Sequence, residues 1–191
     1  MELEHKFLLE REGTPESVLL SARTLGFSAR QKTVQNIVDT YYDTAEGALL
    51  QVGCLKRIRK CEGERLYTEK KNISQGDGRF LREETNLRLT GNTMPEALCA
   101  PGMGAVLTVI HERRRYDLTC GVTVVELAYE AVTYSRDGIT AGPEYQIELE
   151  MKSPTGSGKL ASLAAVVGGR GGVVPMNESK LQRGLRLTAR F

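Results

Sequence analysis

Charged and polar residues an even number of positions apart recur along this sequence. Glu2, Glu4 and Lys6 form the first set. Arg57 with Arg59, Thr68 with Lys70, Arg82 with Glu84, and Arg113 with Arg115 follow, then Glu126 with Glu130 and Glu148 with Glu150. In a β-strand, residues an even number of positions apart share a face, so each set is a stripe on one side of a strand. The stripes favour Arg and Glu, and their signs segregate by strand. Like charges side by side, as in Arg57 and Arg59, need a counter-charge close by. Carboxylates converging from several strands would hold a hard divalent cation through oxygen. Arginines and lysines would grip a polyanion, arginine bidentately. A chain of phosphates between the two sets would use both.

The stripes admit two arrangements. In the first they form the solvated face of a sheet, which is the usual place for any single Glu-x-Glu. In the second the strands close on themselves and the stripes point inward. Closure removes exposed strand edges. It also demands a wet, internally paired interior, because an unpaired buried ion costs several kcal/mol. The opposite parity is mostly apolar where the pattern is strongest: Leu3, Phe7 and Leu9; Leu127 and Tyr129; Ile147, Leu149 and Met151.

The elements that position these stripes are mostly strands. Residues 2–9 alternate strictly. Thr14-Pro15-Glu16 reads as an N-cap, a first-turn proline and an early acid, opening a helix that ends near Gly26. Residues 32–42 form a strand, and Asp43-Thr44 caps a short turn or helix through Leu50. Residues 55–60 and 66–71 pair around Glu62-Gly63. Residues 72–78 read as a polar loop and 79–89 as the next strand, with a short helix at 95–99. Strands at 105–118 and 122–132 join near Cys120-Gly121. Asp137-Gly138 marks a turn before a strand at 144–152. Helices at 160–167 and 178–186 flank the Gly168–Gly172 run. There is no internal repeat or linker, so one α+β domain over residues 1–191 is expected.

Composition narrows the function classes. The chain has 191 residues, 40% of them hydrophobic, no tryptophan and a net charge of +2. That size suits a domain with an aliphatic core, and the charge balance gives no basic surface for nucleic acid. Cys54, Cys61, Cys99 and Cys120 lack the spacing of a zinc or redox pair and read as reduced thiols. No stretch approaches the length of a membrane span. A cytoplasmic protein with no nucleic-acid or membrane partner is expected.

The ordered set of motifs resembles the CYTH family, the triphosphate tunnel metalloenzymes. The likeness begins with Glu2-Leu3-Glu4-His5-Lys6 and continues through Asp39–Thr44, Leu55–Arg59 and Tyr67–Lys70. It extends through Arg82-Glu83-Glu84, Arg113–Tyr116, Glu126–Glu130, Ile147–Lys152 and Ser179–Gly184. The resemblance implies a closed eight-stranded antiparallel barrel, a tunnel with helices packed outside, and metal-dependent action on triphosphates. By the same resemblance Glu2, Glu4, Glu126, Glu148 and Glu150 would hold Mg²⁺ or Mn²⁺. Lys6, Arg57, Arg59, Lys70, Arg82, Arg113, Arg115, Lys180 and Arg183 would bind phosphates, with Glu84 beside Arg82. Glu2, Glu4, Lys6, Glu148 and Glu150 form the catalytic set. A register slip by one would put Arg114 inside in place of Arg113 and Arg115.

Gly168–Gly172 lacks the Gly-Lys-Ser/Thr ending of a phosphate loop and follows a helix, so it reads as a connector. His5 falls on the apolar parity, and His111 is isolated. The expected function is metal-dependent hydrolysis of a triphosphate, inorganic tripolyphosphate first, by a monomer or homodimer. Adenylate cyclase, thiamine triphosphatase and a non-catalytic polyphosphate or nucleotide binder are the alternatives. Removing Glu4 or Glu148 is expected to abolish turnover while relieving carboxylate crowding and so stabilising the fold.

Overall fold

The computed structural model describes residues 1–13 and 15–189. Its strands are β1 (Glu2–Leu9), β2 (Ser28–Gln31), β3 (Gln35–Asp43), β4 (Cys54–Cys61), β5 (Glu64–Gly76), β6 (Arg79–Leu89), β7 (Gly104–Cys120), β8 (Thr123–Arg136), β9 (Ile139–Met151) and β10 (Val173–Pro175). The helices are α1 (Glu16–Thr24), α2 (Ala48–Gln51), α3 (Ser157–Gly168) and α4 (Lys180–Leu187). Neighbouring strands run in the order β1-β6-β5-β4-β3-β7-β8-β9, and β9 pairs back onto β1. This is a closed eight-stranded antiparallel β-barrel. β10 adds to β1 and β2 adds to β7 outside the ring.

Alternation sets the two faces. On β1, Glu2, Glu4 and Lys6 are buried in the barrel. Phe7 lies on the outer face, in an apolar cluster with Leu127, Leu149, Val18 and Ala22 of α1, and Leu160, Leu163 and Val167 of α3. The two helices thus seal the outside of β1, β9 and β8. Ile58, Tyr67, Leu89 and Leu98 form a smaller cluster on the opposite flank.

A third cluster lies inside. Tyr41, Leu107, Val109, Val132 and Tyr134 continue the inward parity of β3, β7 and β8, and Leu181 of α4 packs among them. The barrel interior is therefore wet and charged in one part and dry in the other. α4 can approach because Gly184 has no side chain: a Cβ there would collide with Leu107 and Tyr134.

Several local expectations shift. Residues 72–76 are strand, not loop: β5 continues past a register shift between Asn72 and Ser74 and stays paired with β6. β2 and β10 were not foreseen, being four and three residues long. α1 starts at Glu16 behind Pro15 at φ −65°, and the cap expected at Thr14 lies outside the described residues. Asp43 accepts from the Thr44, Leu49 and Leu50 amides, as a cap for α2 should. Among the described residues no helix is long and apolar enough to cross a membrane.

Candidate active site

The stripes converge. One cavity of about 180 Å³ is lined by six glutamates (2, 4, 84, 126, 148, 150) and nine cations (Lys6, Arg57, Arg59, Lys70, Arg82, Arg113, Arg115, Lys152, Lys180). The register is the unslipped one: Arg113 is buried, whereas Arg114 pairs on the outside with Glu112. Arg183 is not in the lining. Its guanidinium forks onto Glu144 at 2.6 and 2.9 Å and reaches Glu178 at 3.1 Å, so its expected contact with phosphate gives way to an anchoring position on α4.

The charges are polarised around the ring. Five of the six lining carboxylates stand on β1, β9 and β8, which are contiguous through the β1–β9 seam. Lys70, Arg82, Arg57, Arg59, Arg113 and Arg115 stand on the rest of the ring, β5, β6, β4 and β7, of which β6 adjoins β1 and β7 adjoins β8, while Lys6 on β1 and Lys152 just after β9 stand among the acids. Lys180 joins this basic side from the first position of α4. That helix start is fixed by a capping box in which the Gln182 amide donates to Ser179 Oγ and the Ser179 amide to Gln182 Oε1.

Each acid is held by cations. Glu148 accepts from Lys6 and Lys180, both at 2.6 Å, and from Arg113 at 3.0 Å. Burial alone would raise its carboxyl, but Lys180, Lys6 and Arg113 hold it well below the usual carboxylate range. Glu4 meets Arg82 at 2.7 Å and Lys6 at 3.2 Å, and its carboxyl too is lowered despite burial. Arg82 rests on the Phe80 ring, 4.2 Å from its centre. Glu2 behaves differently. Burial, with Glu4 beside it, pushes its carboxyl up to about 7, although Lys70 donates to both oxygens at 2.6 and 2.8 Å. Lys70 also serves Glu84 at 3.0 Å, so one ammonium is shared.

Behind the basic side lies a layer of which the charged stripes revealed only Glu130. Asp39 is fully buried and accepts from Arg59 at 2.7 and 2.8 Å and from Arg57 at 3.1 Å. Burial opposes its ionisation, yet Arg57 and Arg59 hold it well below the ordinary aspartate value. Glu130, also fully buried, contacts Lys180 at 2.6 Å and Arg113 at 3.1 Å. His111 sits between the two acids. It is not isolated, and a signal for it existed: it lies two residues before Arg113 and therefore shares its inward face.

The donor set suits a hard cation, being carboxylate oxygen throughout. Glu4 is directly opposite Glu150, and Glu150 directly opposite Glu126, so three carboxylates form a row across β1, β9 and β8. Like charges so placed repel unless something positive joins them. Here that positive charge comes from side chains: Lys6 and Arg82 at Glu4, Lys152 at Glu150, Lys32 and Arg115 at Glu126. Among the described residues no three His, Cys, Asp or Glu side chains are grouped so as to hold a metal ion.

The sequence matches the CYTH domain over residues 1–162. The chain belongs to the CYTH family. CYTH proteins build triphosphate tunnels, are typically triphosphatases and are generally metal-dependent. No curated protein matches the chain. Among solved structures it is similar to a protein of Pyrococcus horikoshii, with 19% identity, TM-score 0.67, and coverage of 97% of this chain and 99% of that one. It is also similar to a protein of Hippeastrum named as an adenylyl cyclase and described as having a dominant triphosphatase activity (18%, 0.62, 95% and 93%). A third is a Bacillus halodurans protein named as an adenylate cyclase (18%, 0.57, 96% and 96%). At these identities the likeness is one of fold. α4, with Lys180, lies beyond the matched CYTH segment and still completes the cavity wall.

Proposed function

We propose that this CYTH chain is a divalent-metal-dependent triphosphatase and that inorganic tripolyphosphate is its first substrate. The observation that carries the reading is a single cavity into which the carboxylates of β1, β9 and β8 and the cations of β6, β5, β4, β7 and α4 all converge. Arg57, Arg59, Lys70, Arg82, Arg113, Arg115, Lys180 and Lys6 hold the phosphate oxygens. Arg57 and Arg113 are kept charged against burial by Asp39 and Glu130 respectively. Glu2, Glu4, Glu126, Glu148 and Glu150 would hold Mg²⁺ or Mn²⁺. When bound, that ion supplies neutralisation of phosphate charge and orientation of water.

Binding is an exchange of partners. Lys6, Lys180 and Arg113 let go of Glu148 to take phosphate oxygens, and the freed carboxylate is one that would hold the ion. Water then attacks the terminal phosphorus, the bond to the bridging oxygen breaks, and pyrophosphate leaves. The proton passes to a carboxylate of the acidic side. The residues act by positioning and electrostatics, with no covalent intermediate on the chain.

The cavity lining also supports an inorganic chain over a nucleotide. Among the described lining residues Tyr41 is the only aromatic, and no Asn or Gln is present to read a base edge. The test is incubation of the full chain with tripolyphosphate, ATP or thiamine triphosphate, with Mg²⁺, Mn²⁺ or EDTA. Phosphate release is expected from tripolyphosphate first, and only with metal. Cyclic AMP from ATP would replace the reading with a cyclase. Tight tripolyphosphate binding without turnover in any metal would replace it with a binding module.

A further inference from the structure

His111 is the one histidine inside the barrel, 1% exposed, on the strand between β3 and β8. Its Nδ1 lies 3.0 Å from Glu130 Oε1 and its Nε2 lies 3.3 Å from Asp39 Oδ2. Its cross-strand partners are Ile37 and Val132, both buried and apolar. A polar group in such a place depends on these two contacts, with no water-facing alternative. Each acid it touches holds two cations of the cavity. Asp39 holds Arg57 and Arg59 of β4, and Glu130 holds Arg113 of β7 and Lys180 of α4. Cations from three elements are thus strung on two carboxylates, and one imidazole joins the carboxylates.

We propose that His111 is a positioning residue for polyphosphate binding: by engaging Asp39 with one ring nitrogen and Glu130 with the other, it fixes the spacing between the Arg57–Arg59 pair and the Arg113–Lys180 pair. The inference rests on the reading that these cations hold phosphates. The spacing matters because a phosphate chain presents oxygens at fixed intervals, and guanidinium groups reward only matched geometry. Buried ionic networks are costly compared with apolar packing, so this one adds little to stability. Its contribution is register between two cationic groups that would otherwise relax independently.

The test is calorimetric titration of the 191-residue chain with tripolyphosphate in EDTA, alongside steady-state kinetics with Mn²⁺. His111→Leu should weaken metal-free tripolyphosphate binding by about tenfold and raise KM by a similar factor, while kcat changes by less than about threefold. His111→Gln, whose amide can donate to only one of the two carboxylates, should recover part of the affinity. In an Arg57→Ala background the effect of His111→Leu should shrink to less than half, because one of the cations it positions is gone. Equal affinity of His111→Leu and wild type, or equal losses in both backgrounds, would overturn the inference and leave the triphosphatase reading standing. Failure of the wild type itself to bind tripolyphosphate would overturn both. Should the leucine variant not fold, His111→Asn, polar but too short to span both acids, carries the same comparisons.

Discussion

Glu2 and Glu148 line the same cavity, yet their neighbours give them opposite energetics. Glu148 is surrounded by Lys6, Lys180 and Arg113 and is ionised at a low pH. Glu2 shares Lys70 with Glu84, and burial raises its carboxyl to about 7. A folded-state value above the unfolded one means that its stabilising contribution is complete below pH 4.5 and is lost as pH rises through about 7. In EDTA, Glu2→Gln should therefore gain stability over wild type as pH rises across that window, by on the order of 2 kcal/mol at its upper end. Melting temperatures of the two proteins from pH 4 to pH 8 measure this, and a constant difference would refute it. Glu148→Gln should do the reverse. It strands three cations and should cost about 3 kcal/mol, together with a loss of tripolyphosphate turnover of about 100-fold or more. The crowding argument was made from sequence for Glu4 and Glu148, whose carboxyls are both held low by cations; it suits Glu2 instead. Counting carboxylates in a sequence says nothing of which cations reach them.

At the scale of elements, α4 joins the dry end of the barrel to the wet one. Leu181 packs among Tyr41, Leu107 and Tyr134, while Lys180, one residue earlier, reaches Glu148 and Glu130. Gly184 lets the helix sit close enough for both. Gly184→Val should force the helix outward, cost about 2 kcal/mol through overpacking, and weaken tripolyphosphate binding by moving Lys180. Thermal unfolding and calorimetry check the two effects, and an unchanged affinity would show that Lys180 keeps its place without the close approach. The charged stripes were legible in the sequence because a strand repeats every two residues, so Glu2-x-Glu4 or Arg57-x-Arg59 declares a face. The dry end was not. Tyr41, Leu107 and Tyr134 have inward parity too, but an apolar residue reads the same whether it faces a barrel interior or an outer helix. Asp39 was seen only as part of a motif and His111 was read as isolated because their partners, Arg57 and Arg59 for the one and Asp39 and Glu130 for the other, lie on other strands. Arg183 was placed among the phosphate ligands, with Lys180, by the resemblance of Ser179–Gly184 to the family's closing element. Three residues along a helix turn it onto a different set of partners, Glu144 and Glu178.

The whole molecule is a ring divided by charge. Its acidic side is braced from outside by α1 and α3, and its basic side is braced from behind by Asp39, His111 and Glu130. The nine cations of the cavity still outnumber its six carboxylates and the buried Asp39 and Glu130 together, so the interior favours a polyanion even before a metal adds its charge. Tripolyphosphate in EDTA should therefore raise the melting temperature, with stabilisation of about 2.7 kcal/mol at 100 times its Kd. The benefit should persist at moderate salt, since charges inside the barrel are screened less than surface ones. Loss of the whole effect at 0.15 M salt would point to binding on the exterior. The most direct measurement is a crystal structure with tripolyphosphate and Mn²⁺, using the manganese anomalous signal. Phosphate density is expected between Arg57, Arg113 and Lys180, with a manganese peak beside Glu4, Glu148 and Glu150. Phosphate or manganese found only on the outer surface, around an interior still paired as Lys6–Glu148 and Arg82–Glu4, would contradict the account.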